Sequence, residues 1–128
     1  FRIGDAYALP RAGAPFSAAF AGFWFSHVPL ERRGEFLNGL DSALQPGARV
    51  VLLDNLFVEA SSTAISGRDA AGNTYQERSL GDGSVHRVLK NFPAESELRA
   101  VAAARHGADV SYRTWGHYWA LVYRVAQR

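Results

Sequence analysis

With 128 residues, 48% of them apolar and 20% charged, the chain has the size and composition of one soluble globular domain with a real core. Its 14 basic and 12 acidic residues are interspersed and leave a net charge of +2, so no basic block points to a nucleic-acid partner. The lack of Cys excludes disulfides and thiolate metal sites. No apolar run reaches the roughly 20 residues that span a bilayer, and no secretory leader is visible, so no membrane partner and a cytoplasmic location are expected.

In chain order, Gly4-Asp5-Ala6-Tyr7-Ala8-Leu9-Pro10 opens with turn residues. Residues 16–25 follow as a nearly continuous apolar run carrying Phe20, Phe23, Trp24 and Phe25, which predicts a strand buried on both faces. Phe36, Leu37, Leu40, Ala43 and Leu44 then recur at helical spacing among charges, and Gln45-Pro46-Gly47 is read as the stop. Val50-Val51-Leu52-Leu53 predicts a second strand buried on both faces, ending in Asp54-Asn55. Strand, helix and strand within about 40 residues make one βαβ crossover and a parallel pairing.

Residues 57–72 are rich in small and polar side chains, show no period and read as a loop. Residues 73–80 and 84–89, joined by Gly81-Asp82-Gly83, predict a β-hairpin. Pro93, Glu95 and Glu97 open a second helix, and Gly107 stands where its C-terminal cap is expected. Residues 109–113 and 118–125, joined at Trp115-Gly116-His117, complete the chain as an antiparallel pair. No metal is expected: His86, His106 and His117 show no mutual ligand spacing.

Three segments, in this order and spacing, resemble the second half of a class I S-adenosylmethionine-dependent methyltransferase: residues 4–10, the run Phe16-Ser17-Ala18-Ala19-Phe20-Ala21-Gly22-Phe23-Trp24-Phe25-Ser26-His27-Val28-Pro29, and Leu44-Gln45-Pro46-Gly47 with the strand after it. The resemblance implies an α/β fold, the C-terminal part of a Rossmann-like sheet, mostly parallel with an antiparallel last strand and a hairpin insertion at 73–89. It implies S-adenosylmethionine as cofactor, S-adenosylhomocysteine as product, and transfer of a methyl group to an O, N or C nucleophile of a small molecule. The family's Gly-rich loop and first strands have no counterpart in residues 1–128. The chain opens on Phe1 and contains no Met, so it is expected to be a partial domain whose fragment alone is inactive. Asp-Asn, Gly-Asn-Thr-Tyr-Gln and Leu-Lys-Asn-Phe-Pro resemble a bacterial subgroup whose acceptor is unassigned.

Carried over residue by residue, Asp5 and Ala6 hold the adenine, although Gly4-Asp5 alone also reads as a plain turn. Ala21, Gly22 and Phe23 correspond to the strand end that passes the cofactor's methionine part, and small residues there let a ligand approach the backbone. Ser17 departs from the Asp that most members carry after the Phe. Trp24 and His27 face the acceptor by resemblance. Trp24 also reads as core; His27 is the candidate catalytic base, and the same position equally serves many members to pack or orient. Asn55 belongs to a strand end facing the acceptor, and residues 57–90 form an acceptor lid carrying Tyr75, Gln76, Arg78, His86, Arg87 and Lys90. The lid equally reads as a flap or a dimer contact.

Without a strand beside it, the apolar run 16–25 becomes an edge, so self-association through it or through the 73–89 hairpin is expected. A non-catalytic dimerisation or interaction module is the rival reading. A dinucleotide-binding enzyme of similar topology is a third.

Overall fold

A computed structural model describes residues 1–10 and 13–127. Its elements are β1 (Phe16–Gly22), α1 (Arg33–Ser42), β2 (Leu44–Asn55), β3 (Gly67–Arg68), β4 (Thr74–Ser79), β5 (Val85–Leu89), α2 (Glu95–Ala104), β6 (Ala108–Trp115) and β7 (Tyr118–Arg124), with 3-10 turns at Phe25–His27 and Leu30–Arg32. A four-stranded sheet runs in the order β1-β2-β7-β6, and β3-β4-β5 form a second, smaller sheet. The expected βαβ crossover is present: β1 pairs parallel to β2, with Ala19 opposite Val50 and Gly22 opposite Leu53. Of the three pairings in the main sheet two are antiparallel, β2 with β7 and β7 with β6, so the parallel share of this chain is smaller than expected.

β1 and β2 are expected from the sequence to be buried on both faces, but β1 is largely exposed and β2, like β7, is buried on one face only. In β2, Val50, Leu52 and Asp54 are buried while Val51 and Leu53 are half-exposed; in β7, Trp119, Leu121 and Tyr123 are buried and alternate with half-exposed neighbours. The period of two explains this, since only one face of the sheet is covered by helices. Phe36, Leu37 and Leu40 of α1 and Leu98 and Ala102 of α2 complete that core. Arg105 Nε bonds Asp41 Oδ2 at 2.6 Å and ties the two helices together. Each large apolar side chain buried here contributes about 1.5–3 kcal/mol.

At the edge, β1 ends at Gly22 rather than reaching residue 25, and its aromatic residues are open: Phe16 is 52% and Phe20 67% exposed. Among the described residues no strand pairs with the outer edge of β1. Helix α1 ends at Ser42, and Leu44 belongs to β2. Gln45-Pro46-Gly47 is therefore a bulge at the start of β2 instead of a helix stop. Phe16 faces Leu44 but Ala18 faces Arg49, and the extra residues loop out around Gly47 at φ 75°.

The C-terminus of α2 is also capped differently from expectation. His106 takes the left-handed position at φ 53°. Its N–H bonds Ala103 O at 3.0 Å, and the Gly107 N–H bonds Ala102 O at 2.8 Å. This is a Schellman closure with His in the place usually held by Gly. Gly107 serves close approach instead, since a Cβ there would stand 2.9 Å from Ala102 O.

Candidate functional site

The carboxyl ends of β1 and β2 lie side by side, and the polar residues of the chain gather there. Phe23 leaves β1 with its N–H still bonded to Leu53 O at 2.8 Å, but with φ at 57°. A left-handed conformation at a bulky residue is costly, and such strain concentrates at functional positions. Its ring meets Tyr118 edge-on, with centroids 6.0 Å apart. Next, Trp24 packs edge-on against Tyr7 at 5.8 Å and Phe36 at 6.2 Å. Its indole Nε1 is buried and finds no partner among the described residues.

Asp54 closes β2 with a fully buried carboxylate. Its Oδ2 accepts the Ser26 N–H at 2.9 Å, and its Oδ1 accepts the Asn55 N–H at 2.8 Å and Lys90 Nζ at 2.9 Å. Lys90, only 5% exposed at its side chain, also donates to Asn55 Oδ1 at 2.9 Å. Burial pushes the Asp54 carboxyl up, but the Lys90 ammonium and the N–H donors outweigh it and hold the group below the usual carboxylate range. Asn55 and Lys90 are thus brought together, from segments 35 residues apart, beside a carboxylate that the sequence shows only as a strand terminus.

His27 is half-buried and its Nδ1 donates to Leu89 O at 2.7 Å. That bond places the proton of the neutral ring on Nδ1 and leaves Nε2 as an acceptor. His27 therefore touches the hairpin at the end of β5.

The β4–β5 hairpin forms as expected, with Gln76 opposite Val88 and Ser79 opposite Val85. Two asparagines hold it over the strand ends. Asn91 donates its N–H to Ser26 O at 2.7 Å, accepts the Thr74 N–H at 2.9 Å and donates Nδ2 to Asn73 Oδ1 at 2.9 Å. Asn73 Oδ1 also accepts the Leu30 N–H at 2.8 Å, while its Nδ2 donates to Glu31 Oε2 at 2.9 Å. Thr74 Oγ1 bonds Lys90 O as well. Periodicity gave no signal for these roles; the only hint was an Asn at each base of the predicted hairpin.

Alternation along β4 then sorts the predicted lid residues. Gln76 and Arg78 face a cavity of about 300 Å³ that Asn55, Lys90, Phe92 and His117 also line. Tyr75, expected against the acceptor, does not line this cavity. Its hydroxyl donates to Asp69 Oδ2 at 3.0 Å, which pushes the phenol up, and Arg87 stacks 3.7 Å above its ring. His86 lies on the exposed part of the hairpin, beside Ser84 Oγ at 2.9 Å.

The remaining expected residues lie on the other flank of β1. Asp5 and Ala8 close a turn in which Asp5 Oδ1 accepts the Tyr7 N–H at 2.8 Å. Ala6 lines an apolar groove of about 660 Å³ with Gly4, Leu9, Phe16, Phe20 and Leu40. Ala21 and Gly22 are half-buried in the parallel pairing.

No family model and no curated protein matches the chain. Solved structures do. A DhpI–SAH complex is 25% identical, with a TM-score of 0.72, and the match covers 100% of this chain and 55% of that one. A DhpI–SAM–HEP complex is 24% identical, TM-score 0.74, with 97% and 56% covered. A SAM-dependent methyltransferase from Methanosarcina mazei is 14% identical, TM-score 0.65, with 100% and 68% covered. The chain thus spans little more than half the length of DhpI. Its strand order, its parallel crossover and these likenesses give it a class I S-adenosylmethionine-dependent methyltransferase-like fold.

Proposed function

We propose that this chain is the acceptor-facing part of an S-adenosylmethionine-dependent methyltransferase acting on a small molecule. The observation that carries the reading is the meeting of two strand ends. There the left-handed Phe23 stands beside the strand that closes in the buried Asp54–Lys90–Asn55 cluster, under a hairpin roof. Ligands of open α/β sheets bind at such ends. The likeness to DhpI, solved with SAM and with SAH, supports the same reading. Residues 1–128 then form a partial domain, and the Gly-rich loop belongs to sequence outside it.

The residues present fit the cofactor. Ala6 follows the exposed Asp5, whose carboxylate can accept from an amine. Phe23 turns the chain away from the strand end at positive φ, beside Gly22, which the Phe20 ring covers. When bound, the cofactor supplies an activated methyl group on a sulfonium.

The chain's own residues orient and shield. Lys90 and Asn55 fix the floor of the acceptor cavity, and Gln76 and Arg78 of the hairpin form one of its walls. His27, whose Nε2 stays an acceptor while Nδ1 is held by Leu89 O, is the candidate to take a proton leaving the acceptor. Calorimetric titration of the full-length protein with S-adenosylhomocysteine tests the reading. One site per chain, weakened by Asp5→Ala, is expected, and no heat of binding in the full-length protein would overturn it.

One observation favours a second role beside the first. The outer edge of β1 carries exposed Phe16 and Phe20, a surface suited to another strand of the same protein or of a second copy. Sedimentation velocity of the 128-residue chain against the longer protein separates the two.

A further inference from the structure

The cavity under the hairpin has a charge character that neither the fold nor the strand-end cluster requires. Ten residues line it and none is acidic, whereas Arg78, Lys90 and His117 all do. Asp54 lies next to it, but its two oxygens are already taken by Ser26 N–H, Asn55 N–H and Lys90. That pairing balances the Lys90 charge and leaves the Arg78 charge uncompensated. Of the three donors on Lys90 Nζ, two go to Asp54 and Asn55, so one remains for a guest.

Arg78, exposed on β4, is anchored at one point. Its Nη2 donates to Gln76 Oε1 at 3.3 Å, and Gln76 Nε2 is fixed on Thr63 O at 2.9 Å. A buried Gln so anchored orients the guanidinium and leaves its other donors to a ligand. Oriented guanidinium forks match planar carboxylates and phosphoryl oxygens, and charge-assisted bonds of this kind are about twice as strong as neutral ones. Leu56 and Phe92 supply the apolar remainder of the wall, and about 300 Å³ suits a small molecule.

We infer that this cavity binds the anionic group of the methyl acceptor, a carboxylate or a phosphoryl-type oxyanion, between Arg78 and Lys90. The acceptor role rests on the methyltransferase reading above; the anion site does not. Arg78 acts as a binding and specificity residue, Gln76 as the residue that positions it.

Calorimetric or NMR titration of the full-length protein, with saturating S-adenosylhomocysteine, tests this with inorganic phosphate, acetate and the uncharged acetamide. Phosphate and acetate are expected to bind at least about tenfold more tightly than acetamide. Arg78→Gln should weaken both anions by about tenfold while leaving S-adenosylhomocysteine affinity unchanged, and Arg78→Lys should recover part of the loss. Equal affinity for acetate and acetamide, or anion affinity indifferent to both variants, would overturn the anion site. Arg78-dependent anion binding in a protein that binds no S-adenosylhomocysteine would uphold the site and remove its role as an acceptor pocket.

Discussion

Lys90 Nζ and Asp54 Oδ1 lie 2.9 Å apart in the interior, the one on the segment leaving the hairpin and the other at the end of β2. This contact clamps the roof of the cavity to the central sheet. The Asp54 charge is compensated by one ammonium, so the clamp is sensitive to loss of either partner.

Lys90→Met is expected to cost roughly 3–5 kcal/mol, because it strands a buried carboxylate. Lys90→Met combined with Asp54→Asn should be less damaging than Lys90→Met alone. Urea denaturation of the three proteins measures both statements.

The same pair sets an acid limit. The Asp54 carboxyl is held low in the folded protein, so its contribution is present above the unfolded carboxylate value of about 3.9. It disappears as the pH falls through the lower folded value. Stability should therefore drop with acid below about pH 4, and this part of the drop should be missing in Asp54→Asn. Denaturant midpoints between pH 6 and pH 2 compare the two.

Phe23 offers a backbone test. Phe23→Ala keeps the left-handed strain and loses the contact with Tyr118, whereas Phe23→Gly loses the contact and relieves the strain. The Gly variant should be the more stable by about 1 kcal/mol. Equal stabilities would mean that φ at this position is not left-handed.

Helix α2 gives a paired prediction at neighbouring positions. His106→Gly should stabilise by about 0.5–1 kcal/mol, since Gly prefers the left-handed cap. Gly107→Ala should destabilise, because its Cβ would meet Ala102 O and the Tyr123 ring at 2.9 and 3.1 Å. Thermal melts of both variants read the opposite signs.

At His27 the bond to Leu89 O fixes one tautomer. Long-range ¹⁵N NMR at neutral pH should show the proton on Nδ1. His27→Asn, whose amide can reach the same carbonyl, should stay near wild type in stability, while His27→Ala should lose about 1 kcal/mol.

Much of this was legible in the chain. The βαβ crossover followed from the apolar runs around 20 and 50 and the helical spacing of Phe36, Leu37 and Leu40 between them. The hairpin followed from Gly81-Asp82-Gly83. Failures occurred where a local pattern had two solutions. Pro46-Gly47 reads as a stop but also satisfies a bulge, and the register with β1 chose the bulge. Gly107 reads as a cap, yet close packing on Ala102 claimed it and left the left-handed position to His106. The lid residues could be named, but the face each one shows depends on the phase of β4, which turned Tyr75 away and Gln76 inward.

The sequence by itself determined the order of elements, the reaction class its motifs resemble and the exclusion of disulfides, because these depend on composition, periodicity and local spacing. Only the tertiary structure decided which face of each strand is buried, that Asp54, Lys90 and Asn55 form one cluster, and that Arg78 rather than Tyr75 lines the cavity. Those outcomes depend on contacts between residues some 35 positions apart, where sheet register and the cost of burying an unpaired charge select a single arrangement that no local pattern encodes.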